Sequence, residues 1–238
     1  MLVAAAVCPC PPLLVPPVAA GAAPELDAAR AACTDALGLL AAARPDRLVV
    51  VGPAKESEHG GYAEGTPGSF RGFGVDIDVR LGRAEATEPS ERPLPASLAV
   101  AAWLLERTGW ADAPIEGLAV GEPLTPERCI EMGREVAARA ERVALLVMGD
   151  ASACRTLKAP GYLDDRAAPF DASVARALGE ADVAALKSLD TELAYELLAS
   201  GRAPWQVLAG AAEEAELSGA LLYEDAPYGV GYVVATWS

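Results

Sequence analysis

Few residues in this chain are equipped for chemistry, and they fall in three places. Cys8 and Cys10 flank Pro9 directly after an apolar run, and the chain's one histidine, His59, lies among glycines and glutamates. Asp150, Ser152 and Cys154 follow a second apolar run. Thiolates are soft ligands that favour copper(I) or zinc(II), so a metal held by this chain would draw on Cys10, Cys8 and His59. The C-x-C spacing is neither the C-x-x-C of redox motifs nor half of a structural zinc site, since no second C-x-x-C accompanies it. Each feature also has a plain structural explanation. A cysteine in a proline-rich turn serves as a small buried hydrophobe. A histidine beside Glu56, Glu58, Gly60 and Gly61 suits a solvated loop. Asp150 or Ser152 can cap the segment that follows.

These residues need elements to position them. Leu2 to Val7 is a short apolar run stopped by prolines, and Asp46 to Gly52 and Arg142 to Met148 repeat the pattern, as strands buried on both faces do. Helical spacing runs over 24–43, 95–107 and 125–139, the last opening with Thr125, Pro126 and Glu127 as cap, first-turn proline and first-turn acid. A strand fits 115–120. Residues 54–71 form a long glycine-rich loop, 74–80 alternate as a strand with one wet face, and 81–93 read as a polar connection. From Asp171 to Glu216 the pattern is helical, with breaks at Gly179, near Ser188 and at Ser200 to Pro204; 220–223 and 229–237 close the chain as two strands. Strand, helix and strand in alternation predict an α/β fold, a single domain over 1–238 with a mixed or mostly parallel sheet flanked by helices. Asp150 to Cys154 then sit at a strand's carboxyl end, where open α/β sheets bind ligands.

Ordered motifs carry a family resemblance. C-P-C-P-P-L-L-V-P from Cys8 to Pro16, V-V-V-G-P-A from Val49 to Ala54, M-G-D-A-S-A-C-R from Met148 to Arg155, and S-G-R-A-P-W from Ser200 to Trp205 occur in turn. Together they resemble the class III extradiol ring-cleavage dioxygenases of the LigB type, related to Memo-type proteins. The resemblance implies a ferrous site. It places Cys10 and Ala54 where that family has iron-ligating histidines, Ala153 where it has an acid/base histidine, and Ser200 at the third ligand position. A dioxygen-activating iron takes two imidazoles and a carboxylate on one face. With one histidine in the chain, the resemblance implies the cleft without its chemistry: a divergent protein similar to the class III extradiol dioxygenases, acting as a small-molecule-binding or protein-interaction module. No cofactor is expected. The alternative is a metal-dependent oxidoreductase or copper-binding protein holding Fe(II), Cu(I) or Zn(II) at a cysteine-containing site. The candidate pocket comprises Cys10, Ala54, His59, Asp150, Ser152, Ala153, Cys154, Ser200 and Arg202, with Asp150 orienting a ligand and Cys154 as a pocket thiol. Arg155, Lys158 and Arg202 are rare cations able to meet a carboxylate or to pair with acids such as Asp164 and Asp165.

Composition narrows the partners. A net charge of -15 over 238 residues repels nucleic acid and anionic membrane surfaces alike. Five scattered cysteines in a chain of this size fit reduced thiols and a cytoplasmic setting. The first 23 residues are apolar, but their prolines and lack of Lys or Arg fit neither a signal peptide nor a membrane span. A small aromatic or carboxylate ligand, a homodimer or a protein partner are the associations expected.

Overall fold

The continuous apolar runs become the middle of one sheet because helices cover both of its faces. The computed structural model describes residues 1–83 and 92–238, so the polar connection expected over 81–93 lies mostly outside the described residues. In chain order the elements are β1 (Leu2–Cys8), α1 (Pro16–Ala19), α2 (Asp27–Ala42), β2 (Arg47–Ala54), β3 (Gly60–Tyr62), β4 (Pro67–Ser69), β5 (Asp78–Arg80) and α3 (Ala96–Thr108). They continue as β6 (Ile115–Gly121), α4 (Pro126–Ala137), β7 (Val143–Met148), α5 (Ala167–Gly179), α6 (Val183–Lys187), α7 (Thr191–Glu196), α8 (Arg202–Ala211), β8 (Gly219–Asp225) and β9 (Tyr232–Trp237).

Seven strands form the main sheet in the order β3-β6-β2-β7-β1-β9-β8. The central β6, β2, β7 and β1 are parallel, whereas β3 at one edge and the β9–β8 pair at the other run antiparallel. Side chains alternate between two buried layers. Ala4, Ala6, Cys8, Leu48, Val50, Leu146 and Met148 face α2 and α3, while Ala5, Val7, Val49, Val51, Leu145 and Val147 face the layer of α4, α5 and α8. From β1 the chain steps outward to β2 and β6 through helices on one face. It then returns to β7, between β2 and β1, through α4 on the other. Right-handed crossovers require that change of face when the direction of travel reverses.

Start signals read from sequence hold at α4, where Thr125 Oγ1 accepts the Arg128 backbone N–H at 3.3 Å and Pro126 occupies the first turn. Two expectations need correction. The strand expected over 74–80 is extended only from Asp78, and it pairs with β4 in a separate two-stranded sheet. Gly74 turns the chain with a positive φ, and Arg71 pairs with Asp76 and Asp78 at 2.8 and 2.5 Å across a local turn before the strand, while Asp76, Asp78 and Arg80 form the expected wet face. The loop expected over 54–71 contains β3, which adds to the main sheet through its backbone alongside β6; only Tyr62 of its three residues is buried, too little to show as a strand pattern.

Helices α4 and α8 cross with backbone against backbone. A Cβ on Gly210 would lie 2.1 Å from the Ile130 carbonyl oxygen, and one on Gly133 would meet the Val207 carbonyl oxygen at the same distance. Gly210→Ala is therefore expected to force the helices apart and to destabilise the protein by about 1–3 kcal/mol, read as a lower urea midpoint. An unchanged midpoint would show that this crossing tolerates a side chain.

Candidate functional site

At the carboxyl ends of β1, β2 and β6 lies a cleft of ≈ 530 Å³. Pro53, Ala54, Ala96 and Pro123 give it apolar walls, and Cys10, Lys55, Glu56, Ser97, Glu122 and Ser200 supply polar groups. Gly52 admits the start of α3 to one wall, since a Cβ there would lie 2.7 Å from Ser97 Oγ. The Ser97 hydroxyl donates to the Pro53 carbonyl at 2.6 Å and holds that wall to the end of β2.

Directly behind Cys10 and Ser200 sits Asp150, two residues past β7. Its position depends on glycines: a Cβ on Gly149 would stand 2.5 Å from Gly201 Cα, and one on Gly201 would strike the Trp205 ring. With neither present, the end of β7 meets the α7–α8 junction. Gly201 N–H then donates to the Asp150 carbonyl at 2.9 Å, and Asp150 N–H donates to Ser200 Oγ at 3.2 Å. The carboxylate turns toward β1, where Oδ1 accepts the Cys10 backbone N–H at 2.8 Å. The Cys10 thiol lies against both Asp150 and Ser200.

Electrostatics follow from this enclosure. Burial pushes the Asp150 carboxyl up to about 7, against the two hydrogen bonds from Cys10 that favour its ionised form. Burial, reinforced by the adjacent Asp150 carboxylate, pushes the Cys10 thiol well above its ordinary range, although its bond with Ser200 acts the other way. At neutral pH Cys10 is therefore a thiol. In the β1–β9 register Ala5 stands opposite Trp237 and Val7 opposite Ala235, and Tyr232 begins β9 near the end of β1 that leads to Cys10. Tyr232 is 2% exposed, and its phenol is raised by burial and then by Asp150 and Cys10.

The fold brings together Cys10, Ala54, Ser200 and Asp150, but not the rest of the expected pocket. His59 ends a short helical turn, half-buried, and is not among the residues lining the cleft. Ser152 is fully buried against α5, its N–H and hydroxyl bonding Asp171 at 2.8 and 2.9 Å, and Arg155 pairs with the same carboxylate at 2.9 Å. Ala153 donates its N–H to the Leu197 carbonyl outside the cleft. Cys154 is no pocket thiol: it is 2% exposed, in the layer beneath α5 and α8, with its sulfur 3.5 Å from the Leu197 carbonyl oxygen. Arg202 does not receive a ligand either. Buried, it donates to the carbonyls of Leu124, at 2.7 Å, and Glu122 and to Gln206 Oε1, pinning the cleft-lining 122–124 turn onto α8. Asp164 pairs with Arg166, and Lys158 is exposed. Cys8 turns into the core, where its thiol hydrogen-bonds Cys33 of α2. Lys55, Glu56 and Glu122 went unread as site residues, although each lies at or just past a strand end and the strand-end rule would have found it.

Ferrous iron of the kind the family resemblance implies does not fit these donors. Ala54 offers none, Ser200 a neutral hydroxyl and Cys10 a protonated thiol, and among the described residues no three His, Cys, Asp or Glu side chains converge on one point.

No protein-family model matches the chain, and no curated protein matches it. Among solved structures it is similar to an uncharacterized protein of Escherichia coli K12, JW3007, over 99% of each chain, with a TM-score of 0.59 and 16% identical residues. That likeness shows the fold, an α/β domain on a mostly parallel mixed sheet, and leaves the cleft to be interpreted from its own residues.

A buried carboxyl with a raised pKa destabilises the folded state once it ionises. Asp150 contributes stability that is full below its ordinary value of 3.8 and is lost as pH rises through about 7, at about 1.4 kcal/mol per pH unit. Asp150→Asn keeps an acceptor for the Cys10 N–H but cannot ionise. Urea unfolding at pH 5 and pH 8 should show the wild type losing roughly 2–3 kcal/mol more than the variant across that interval. Equal losses would mean that Asp150 is not held near 7.

Proposed function

We propose that this protein is a divergent LigB-like small-molecule-binding protein whose strand-end cleft receives a small, flat aromatic ligand with a hydrogen-bonding edge. The observation that carries this reading is a destabilising ionisable carboxyl, Asp150, kept behind a mostly apolar cleft at the carboxyl ends of parallel strands. Proline and alanine walls suit the face of a ring, while Cys10 and Ser200 offer polar groups to its edge, with Asp150 behind them holding Cys10 in place. Cys10, Ala54 and Ser200, singled out by motif as family ligand positions, adjoin the same cavity, which supports descent of the cleft from that family. The copper or zinc alternative lacks a third donor among the described residues. Five unpaired cysteines support a reducing, cytoplasmic setting; among the described residues no helix is long and apolar enough to cross a membrane.

Titration calorimetry with 2-naphthol tests the cleft directly. Wild type is expected to bind, and Ala54→Trp, which places an indole on the half-buried wall, should weaken binding at least ~10-fold while circular dichroism shows the fold retained. Equal affinity in the two proteins, or none in either, overturns the reading.

A further inference from the structure

We propose that two copies of this chain pair about a two-fold axis through the face formed by the 155–166 loop and the end of α7. Leu157, Tyr162 and Leu163 stand on the loop, Tyr195 and Leu198 at the helix end, and each is between 46% and 65% exposed. The two stretches make one surface. Ala153 N–H donates to the Leu197 carbonyl at 2.9 Å, Arg166 pairs with Glu196 at 2.6 Å, and a Cβ on Gly161 would stand 3.0 Å from Leu198 Cδ1. None of the five apolar residues lines the strand-end cleft, so this face is separate from it.

Backbone conformation argues that these side chains are displayed and not merely left over. Leu198 follows the last residue of α7 with a φ of 56° and closes the helix: its N–H donates to the Tyr195 carbonyl at 3.1 Å, and Ala199 N–H donates to the Ala194 carbonyl at 2.9 Å. Glycine is the usual residue at that left-handed position, because a Cβ is crowded there. Leucine bears the crowding here, yet its side chain stays half in water. Tyr162 repeats the pattern with a φ of 65°, its N–H donating to the Ala159 carbonyl at 2.9 Å where a turn ends. Side chains whose main chain is already fixed lose less freedom when a partner covers them.

A second copy suits this face in area and in charge. The five residues leave roughly 500 Å² of mostly apolar surface exposed, the larger part of the ~800 Å² that each partner of a stable complex covers. Charges of both signs stand at the rim, where Lys158, Asp165 and Glu192 are exposed and make no ion pair among the described residues. A two-fold axis sets the same face against itself, which brings Lys158 of each copy to the carboxylates of the other. Elsewhere the copies repel, since each carries a net charge of -15.

Sedimentation equilibrium over roughly 1–100 μM protein tests the pairing. Wild type is expected to reach twice the 24.5 kDa of one chain. Leu198→Gly removes the side chain and relieves the left-handed residue, so it should keep the native circular dichroism while weakening the dimer at least ~10-fold. Tyr195→Asp puts a charge on an exposed site at the centre of the face and should weaken it at least ~100-fold. Leu222→Asp, on the exposed edge strand β8, should leave the dimer intact. A monomer at every concentration overturns the proposal, as does a dimer that survives Tyr195→Asp. Dissociation by Leu222→Asp alone overturns it too, and moves the contact to β8.

Discussion

Two glycines in contact set the geometry of this protein's functional end. Gly149 and Gly201 let the last turn before α8 rest on the end of β7: a methyl group on Gly149 would strike the Gly201 main chain, and one on Gly201 would strike the Trp205 ring. Everything at the candidate site hangs from that contact. The main chain of Asp150 is bonded to Ser200 and Gly201, its carboxylate reaches across to the N–H of Cys10, and three segments far apart in sequence become one polar cluster. Backbone contact of this kind is stiffer than side-chain packing, because no rotamer change can relieve it.

Sheet topology explains why the cluster stands where a ligand can reach it. The chain moves outward from β1 to β6 with helices on one face and comes back to β7 with helices on the other, so the connections after neighbouring strands part at their carboxyl ends. The cleft occupies that parting. Arg202 reinforces its rim from below: a buried guanidinium that bonds the carbonyls of the 122–124 turn keeps one wall fixed to α8. Rigid walls, a polar floor and a carboxylate poised between its charged and neutral forms share a few residues of one sheet end. Elsewhere the interior is ordinary apolar packing, with Asp171 fully bonded to Ser152 and Arg155.

Thiols in this protein differ by surroundings more than by sequence. Cys8 and Cys10 are two residues apart, yet one enters the core against Cys33 and the other lines the cleft between Asp150 and Ser200. Cys154, near Asp150 in sequence, turns to the opposite layer because Ala151 N–H and Gly231 N–H tie that stretch to the approach of β9, and Ala153 N–H bonds the Leu197 carbonyl at the end of α7. Contact with Cys33 and burial keep Cys8 protonated at neutral pH, and burial keeps Cys10 so, and neither is a ready thiolate for a metal or an electrophile.

Periodicity and punctuation were enough to place the main strands and longer helices, because apolar runs such as Leu48 to Val51 and capped starts such as Thr125-Pro126-Glu127 are local signals with local causes. They also placed Asp150 at a strand end, while the family resemblance flagged Cys10, Ala54 and Ser200 as positions of interest. Elements held by backbone pairing alone escaped, as β3 did, since pairing leaves little mark on side-chain type. Local charge pairs misled over 74–80. Which flagged residues meet was beyond the sequence: adjacency of Cys10, Asp150 and Ser200 depends on β7 entering between β2 and β1 and on two glycines touching, and the separation of Cys154, Ser152 and His59 from that group depends on which side of the sheet each stretch passes. Sequence determined the elements and the chemical types available; only the tertiary structure decided which types share a cavity, because long-range contact, and the desolvation that moves Asp150 to about 7, exist only once distant segments are packed together.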